Sequence, residues 1–440
     1  MTTSTRYLPA AEQGRLIAAG MLDPVAQVEL YLETAAGRDG RMAFARLTPN
    51  RARFEAMAAR TRTKVGQGRS ALDGVAISWM DAVDSAGAVT EAGSRLFSGH
   101  VPARDARALQ QASAAGGVCL GKTQMTELGL DLLGVNALSV TPPNRHDPSL
   151  VTGGGASGGA LSVTLGLCAM AVGLENGGGL LVPAAWNDLV GFRPGLGRVP
   201  LAGVATGSQF DTLGFMARRV EDCAQGLALV ENGKLPDLRG ADISGARLLV
   251  LEGGVFDDAD PACLEAMSRA IGRLAKAGTK ITVQSPKAFE ALKRLRFLAQ
   301  TEFHARWQQR VRENPLKVTP DFLRAFEAAG GVSADVYLQG LAQLHAVRQD
   351  WRGVVAGYDV VLMPTAASLA PSYDSLLIDQ DFFRSQQQLA SRNVGSAALL
   401  GGPVLTLPTG RDMVGLSLLG LPGEDEKVLC FGAAIEAALG

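Results

Sequence analysis

Two glycine-rich segments hold most of what could do chemistry in this chain. The first reads Thr152-Gly153-Gly154-Gly155-Ala156-Ser157-Gly158-Gly159-Ala160, and the second Glu175-Asn176-Gly177-Gly178-Gly179-Leu180-Leu181-Val182-Pro183. Residues without a Cβ let backbone come close to a ligand or to another segment. Stacked N–H groups in such turns can hold an oxyanion or a carbonyl oxygen. The same turns also serve a purely structural purpose, and both uses demand one geometry. A phosphate cradle is excluded, because no Gly-Lys-Ser/Thr closes either loop and no strand with a later ribose-binding acid frames them. Ser157 brings a hydroxyl and Lys122 an amine, but neither sits in a motif that would activate it. A loop hydroxyl satisfied by backbone and a strand-end lysine tied to a carboxylate or carbonyl are the expected roles. His100, His146, His304 and His345 show no chelating spacing, so no metal and no cofactor is expected. Cys168, between the loops, reads as a core thiol.

The elements around these loops alternate between helix and strand. Asp23-Pro24 starts an amphipathic helix, and a second runs from about Asn50 to Arg62. Gly74 to Trp79 is a short apolar strand. A helix from Ala103 to Ala115 stops at Gly116-Gly117 before the strand Val118 to Leu120. After the loops come strand Ala246 to Leu251, helix Asp260 to Ala277 and strand Lys280 to Val283. A long helical section from about 287 to 355 breaks near Asn314-Pro315, and Ser333 and Asp335 can cap its last helix. Its residues Phe303, His304, Trp307, Arg310 and Arg312 are expected to pack. Val360 to Met363 is a strand, 404–407 and 414–418 look paired, and a closing helix begins near Glu424. This alternation implies one α/β body over 1–440 with a large mixed sheet covered by helices on both faces. A helical side lobe is expected at about 285–355.

Composition narrows the function classes. The 440 residues carry 42 Lys and Arg against 43 Asp and Glu, a formal charge of −1. With no basic block, nucleic acid and anionic membrane surfaces are poor partners. Hydrophobic residues at 47% and charged residues at 19% describe a folded chain. Five cysteines without a CxxC pair argue against a disulfide framework or a zinc ribbon. Leu150 to Leu174 carries no charge, yet its seven glycines and its Ser and Thr residues suit a buried helix behind a loop better than a membrane span. The N-terminal stretch has no apolar core of a secretion signal, and a cytoplasmic protein is expected.

At this point the chain resembles the amidase signature family of serine hydrolases, over nearly its whole length. Leu72-Asp73-Gly74-Val75-Ala76-Ile77-Ser78-Trp79-Met80-Asp81 is similar to the strand that carries that family's catalytic lysine. Gly116 to Leu128, the two glycine loops, Val190-Gly191-Phe192-Arg193-Pro194, Ser208 to Gly214 and Tyr358-Asp359-Val360 follow in the family's order. The resemblance implies the family's fold and, in ordinary members, amide hydrolysis by a lysine base, a relay serine on a cis peptide and a nucleophilic serine.

Residue by residue, those three positions fall on Met80, Ala156 and Gly179. A thioether cannot take a proton and a glycine has nothing to attack with. The arginine often found two residues after the nucleophile is Leu181. Ser157 is retained; its family counterpart supports the lysine, so here its hydroxyl is expected to find backbone or water. Asp81 and Lys122 also match, in structural roles. The backbone of Gly155, Ser157, Asn176, Gly177, Gly178 and Gly179 is expected to keep an oxyanion or ligand loop. The resemblance thus implies a catalytically inactive homologue. It would bind a small amide or carboxylate ligand, or work as a non-catalytic subunit in a homo-oligomer or beside an active amidase. The alternative is an amide hydrolase with relocated groups, Ser157 and Lys122.

Overall fold

Eleven strands share one sheet in the computed structural model, which describes residues 3–231 and 233–440. In chain order they are β1 (Phe44–Leu47), β2 (Ala76–Met80), β3 (Val118–Thr123), β4 (Met170–Glu175), β5 (Val190–Arg193) and β6 (Thr212–Ala217). The remainder are β7 (Arg247–Leu251), β8 (Lys280–Gln284), β9 (Val360–Pro364), β10 (Val404–Pro408) and β11 (Gly415–Leu419). Their order across the sheet is β1-β3-β2-β4-β6-β5-β10-β11-β9-β7-β8. The sheet is mixed: β2 runs parallel to β3 and β4, and β7 parallel to β8 and β9, while the other pairs are antiparallel. Every residue of β2, β3, β4, β5, β6, β9 and β11 is buried, as expected for strands covered on both faces. The edge strand β8 is half-buried at Ile281 and Thr282 and exposed at Lys280, Val283 and Gln284.

The amphipathic segments form helices close to their expected limits. Asp23 caps Pro24–Ala35 by accepting the Val25 N–H, and Asp260 caps Pro261–Lys276 through Ala262. Ser333 caps Ala334–Val355 through Val336. The section between 287 and 355 consists of Lys287–Leu295, Phe297–Glu313, Pro320–Ala328 and Ala334–Val355, interrupted after Asn314 by a single 3₁₀ turn. Its aromatic residues pack: Trp307 meets Phe97 edge-on at 5.6 Å, and Phe303 sits against Phe322 and Phe326.

Three expectations need correction. The helix expected from Ala103 starts at Arg107, because Pro102 to Asp105 is held in a turn where Asp105 pairs with Arg51. Strand β3 runs on through Gly121-Lys122-Thr123, where it gains β1 as a second neighbour. Helix Gln380–Leu400 was not anticipated, and it proves to be the element that covers the second glycine loop. The uncharged stretch at 150–174 divides into a loop, helix Ser157–Thr164 and β4. Among the described residues no helix is long and apolar enough to cross a membrane.

Candidate functional site

The sheet brings the three positions together. β2 and β4 are parallel neighbours with Trp79 opposite Val172, so Met80 ends its strand beside Gly173 and Leu174. The Met80 Sδ accepts the Leu174 N–H at 3.1 Å. Its sulfur and methyl lie against glycines: a Cβ on Gly173 would stand 3.7 Å from Sδ, and one on Gly155 3.6 Å from Cε. The thioether is therefore packed into the centre of the site rather than turned away from it. The Ala156 N–H donates to the Gly179 carbonyl at 2.8 Å and ties the two loops to each other. No peptide bond among the described residues is cis, the one leading into Ala156 included.

The second loop is closed from within. Glu175, fully buried at the end of β4, turns its carboxylate back over the chain that follows it. Oε1 accepts the N–H groups of Gly177 at 2.8 Å and Gly178 at 2.6 Å, and Oε2 accepts those of Leu180 at 2.8 Å and Leu181 at 2.9 Å. Gly177 and Gly178 adopt φ of 95° and 130°, a conformation that only glycine reaches without strain. Of the donors expected to face a ligand, those of Gly177 and Gly178 thus serve an internal carboxylate. Asn176 fills the remaining space. Its Nδ2 donates to the Gly129 carbonyl at 2.8 Å, and its Oδ1, buried and without a partner, occupies the place that a Cβ on Gly179 would need.

Ser157 and Lys122 are not brought into contact. Successive residues of β3 face opposite sides of the sheet. Thr123 looks toward helix Ser157–Thr164, 3.9 Å from where a Cβ on Gly159 would be. Lys122 points the other way and donates to Thr90 Oγ1 at 3.0 Å and Asp81 Oδ1 at 3.3 Å. Asp81 also takes Arg46 at 2.7 Å. Burial lowers the Lys122 pKa and raises that of Asp81, in each case against the pull of the opposite charge. The Ser157 hydroxyl was expected to find backbone or water, but it makes no hydrogen bond within the protein although it is wholly buried. Thr123, which pairs with Met80 across β2 and β3, has an equally orphaned hydroxyl. Thr123 is thus paired with a side chain that has no N–H to give, where the resemblance implied an amine with three.

Elsewhere, Cys168 is buried among Ser162, Ser78 and the Met170 carbonyl. His146 has Nε2 2.9 Å from Asp188 and Nδ1 3.6 Å from Asp412, so its two nitrogens face different carboxylates. Cavities of about 310, 230 and 230 Å³ lie outside the glycine loops, and none of their lining residues belongs to either loop.

These features are those of a known family. The family model described as Amidase matches residues 26–429. The chain belongs to the amidase family. Among curated relatives it is similar to a 2-amino-5-chloromuconic acid deaminase of Comamonas testosteroni, with 29% identity over 99% of this chain and 96% of that one. A glutamyl-tRNA(Gln) amidotransferase subunit of Anaeromyxobacter dehalogenans (strain 2CP-C) is 28% identical over 98% and 96%. Among solved structures, a crystal structure of an amidase superposes with a TM-score of 0.88 at 27% identity, covering 98% of this chain and all of the other. A structure described as an unexpected vestigial protein complex from the origins of an s-triazine catabolic enzyme reaches 0.88 at 23% identity, over 98% of each chain, a likeness of fold.

Two participants escaped the sequence reading. Glu175 was legible as an acid directly before a glycine run, a pattern in which a carboxylate can gather successive N–H groups. Arg296, which donates to Ser391 on the helix over the second loop, carries no local signal, and only helix packing places it there.

Proposed function

We propose that this amidase-family protein does not perform acyl transfer, and that it serves by binding a small amide or carboxylate compound or as a non-catalytic subunit beside another chain. One observation carries the reading: Met80, Ala156 and Gly179 converge on a single point and supply no base, no relay and no nucleophile. A catalytic unit of this kind loses orders of magnitude in rate when one member is removed, and only binding effects remain without any. The occupation of the loop N–H groups by Glu175 supports it further. The subunit role is supported by a relative named as an amidotransferase subunit, and by a fold neighbour described as part of a vestigial complex. A cytoplasmic site of action belongs to the same reading.

The test is a panel of linear amides and esters together with a serine-directed fluorophosphonate. The expected result is no turnover above buffer and no adduct by intact mass. Stoichiometric labelling of any serine overturns the proposal. A second reading, hydrolysis through Ser157 and Lys122, is favoured by one observation, the unpartnered Ser157 hydroxyl. It requires turnover that disappears in Ser157→Ala. Co-purification of a second chain separates the subunit role from free ligand binding.

A further inference from the structure

A cavity of about 230 Å³ at the C-terminal end of helix Gln380–Leu400 differs from the other two in its charge. Its walls are apolar: Trp351 and Leu400 belong to the core, and Leu196 and Leu421 pack against that core from the rim. The ionisable groups that line it are Arg348 and Arg352, with no acid among them. The other cavities mix the two signs. One holds Asp81 and Glu91 beside Arg46 and Arg95, the other Asp359 and Glu424 beside Lys427.

Both arginines project from helix Ala334–Val355, one turn apart, a spacing at which like charges repel. Among the described residues neither has a carboxylate within ion-pair distance. The acids of the adjoining cavity are engaged elsewhere, Glu424 with Lys427 at 3.0 Å and Asp359 with the Arg247 N–H at 2.8 Å. Arg348 is half-buried; its Nε donates to the Leu399 carbonyl at 2.8 Å, and its Cζ lies 5.9 Å from the centre of the Phe210 ring. Those contacts hold the guanidinium in place and leave its far end, Nη1 and Nη2, without a hydrogen bond inside the protein. Gly401, with φ of 79°, keeps that end open: a Cβ there would stand 3.6 Å from Nη2. Burial and the like charge of Arg352 lower the Arg348 pKa. Arg352 is exposed and makes neither a hydrogen bond nor an ion pair.

We propose that this cavity binds a small monocarboxylate with an apolar body, gripped end-on by Nη1 and Nη2 of Arg348, with Arg352 at the mouth and the hydrocarbon against Trp351, Leu196 and Leu400. The far end of a guanidinium presents two parallel N–H groups, the geometry that matches both oxygens of a carboxylate. An anion there offsets two unpaired like charges, one of them partly desolvated. An apolar cavity of about 150 Å³ takes up benzene, so this one has room for an aromatic ring or a short alkyl chain. The site lies apart from the glycine loops, which contribute nothing to its lining, and is independent of whether they bind or catalyse.

The test is calorimetric titration of the full chain with benzoate, phenylacetate and hexanoate, each set against its carboxamide, and with acetate and inorganic phosphate. At least one of the three apolar carboxylates is expected to bind about tenfold or more tightly than its carboxamide, and more tightly than acetate or phosphate. Arg348→Gln should weaken that binding about tenfold or more, since it removes the fork. Arg352→Gln, at an exposed helix position, should weaken it about threefold. Melting curves report whether each variant is folded. If Arg348→Gln does not fold, the wild-type comparison and Arg352→Gln decide. No binding by any of the three, carboxamides binding equally well, acetate or phosphate binding as tightly, or undiminished binding by a folded variant each overturns the assignment.

Discussion

The side-chain oxygen of Asn176 stands where a Cβ on Gly179 would have to be. Space beside Gly179 is thus taken by a neighbour three residues back in the chain. Gly179→Ala should be destabilising by about 1–3 kcal/mol through overpacking. In Asn176→Ala that penalty should shrink but not vanish, because the Leu174 carbonyl oxygen also lies 2.9 Å from the added Cβ, and the coupling in a denaturant double-mutant cycle should be about 1 kcal/mol. Additive effects would refute the clash. The triple substitution Met80→Lys, Ala156→Ser and Gly179→Ser should therefore leave the protein inert, since a side chain at 179 meets both Asn176 and the Leu174 carbonyl.

Glu175 accepts four N–H groups with two oxygens. Glu175→Gln keeps the shape but turns an NH₂ toward two of those donors. The expected loss is about 2–3 kcal/mol of unfolding free energy at neutral pH, measured by urea denaturation. A change below about 0.5 kcal/mol would mean that the loop does not depend on the carboxylate.

Ser157 is a buried hydroxyl without a partner. Removing it returns the desolvation cost of an unmade hydrogen bond, so Ser157→Ala should be neutral or up to about 1 kcal/mol more stable. A clear destabilisation would reveal a partner that the packing does not show.

Between helices Val220–Glu231 and Asp425–Leu439, burial holds the Glu436 carboxyl up at about 7 and Asp222 at about 6. Both values lie above those of the unfolded chain, so the native state binds these protons more tightly. Stability from this source is complete at low pH and declines as pH rises through the folded-state values, from about pH 4.5 to 7. Glu436→Gln should flatten this decline and raise stability at pH 7.5 by about 1 kcal/mol after allowance for solvent screening. A melting temperature that rises between pH 5 and 7 in wild type and not in the variant would reverse the assignment.

The sheet was legible where strands are continuous apolar runs, as in β2, β7 and the β10–β11 pair, and helices were legible where caps such as Asp23, Asp260 and Ser333 mark their starts. Strands β1, β5 and β6 and helix Gln380–Leu400 were harder to read. Phe44–Leu47 has only four residues, and the helix mixes a polar first half with a small-residue second half that is buried against the glycine loop and the elements around it.

The residue types alone determined that a thioether, a methyl and a hydrogen stand at three registered positions, because each is bracketed by glycines or by a strand that leaves no freedom to slip. What surrounds these three residues was decided only by the tertiary structure. The turn of Glu175 onto the N–H groups, the intrusion of Asn176 and the approach of Arg296 through Ser391 depend on side-chain direction and on helices far apart in the chain. No local pattern encodes such contacts, since they are set by which faces meet when the sheet and its helices close on one another.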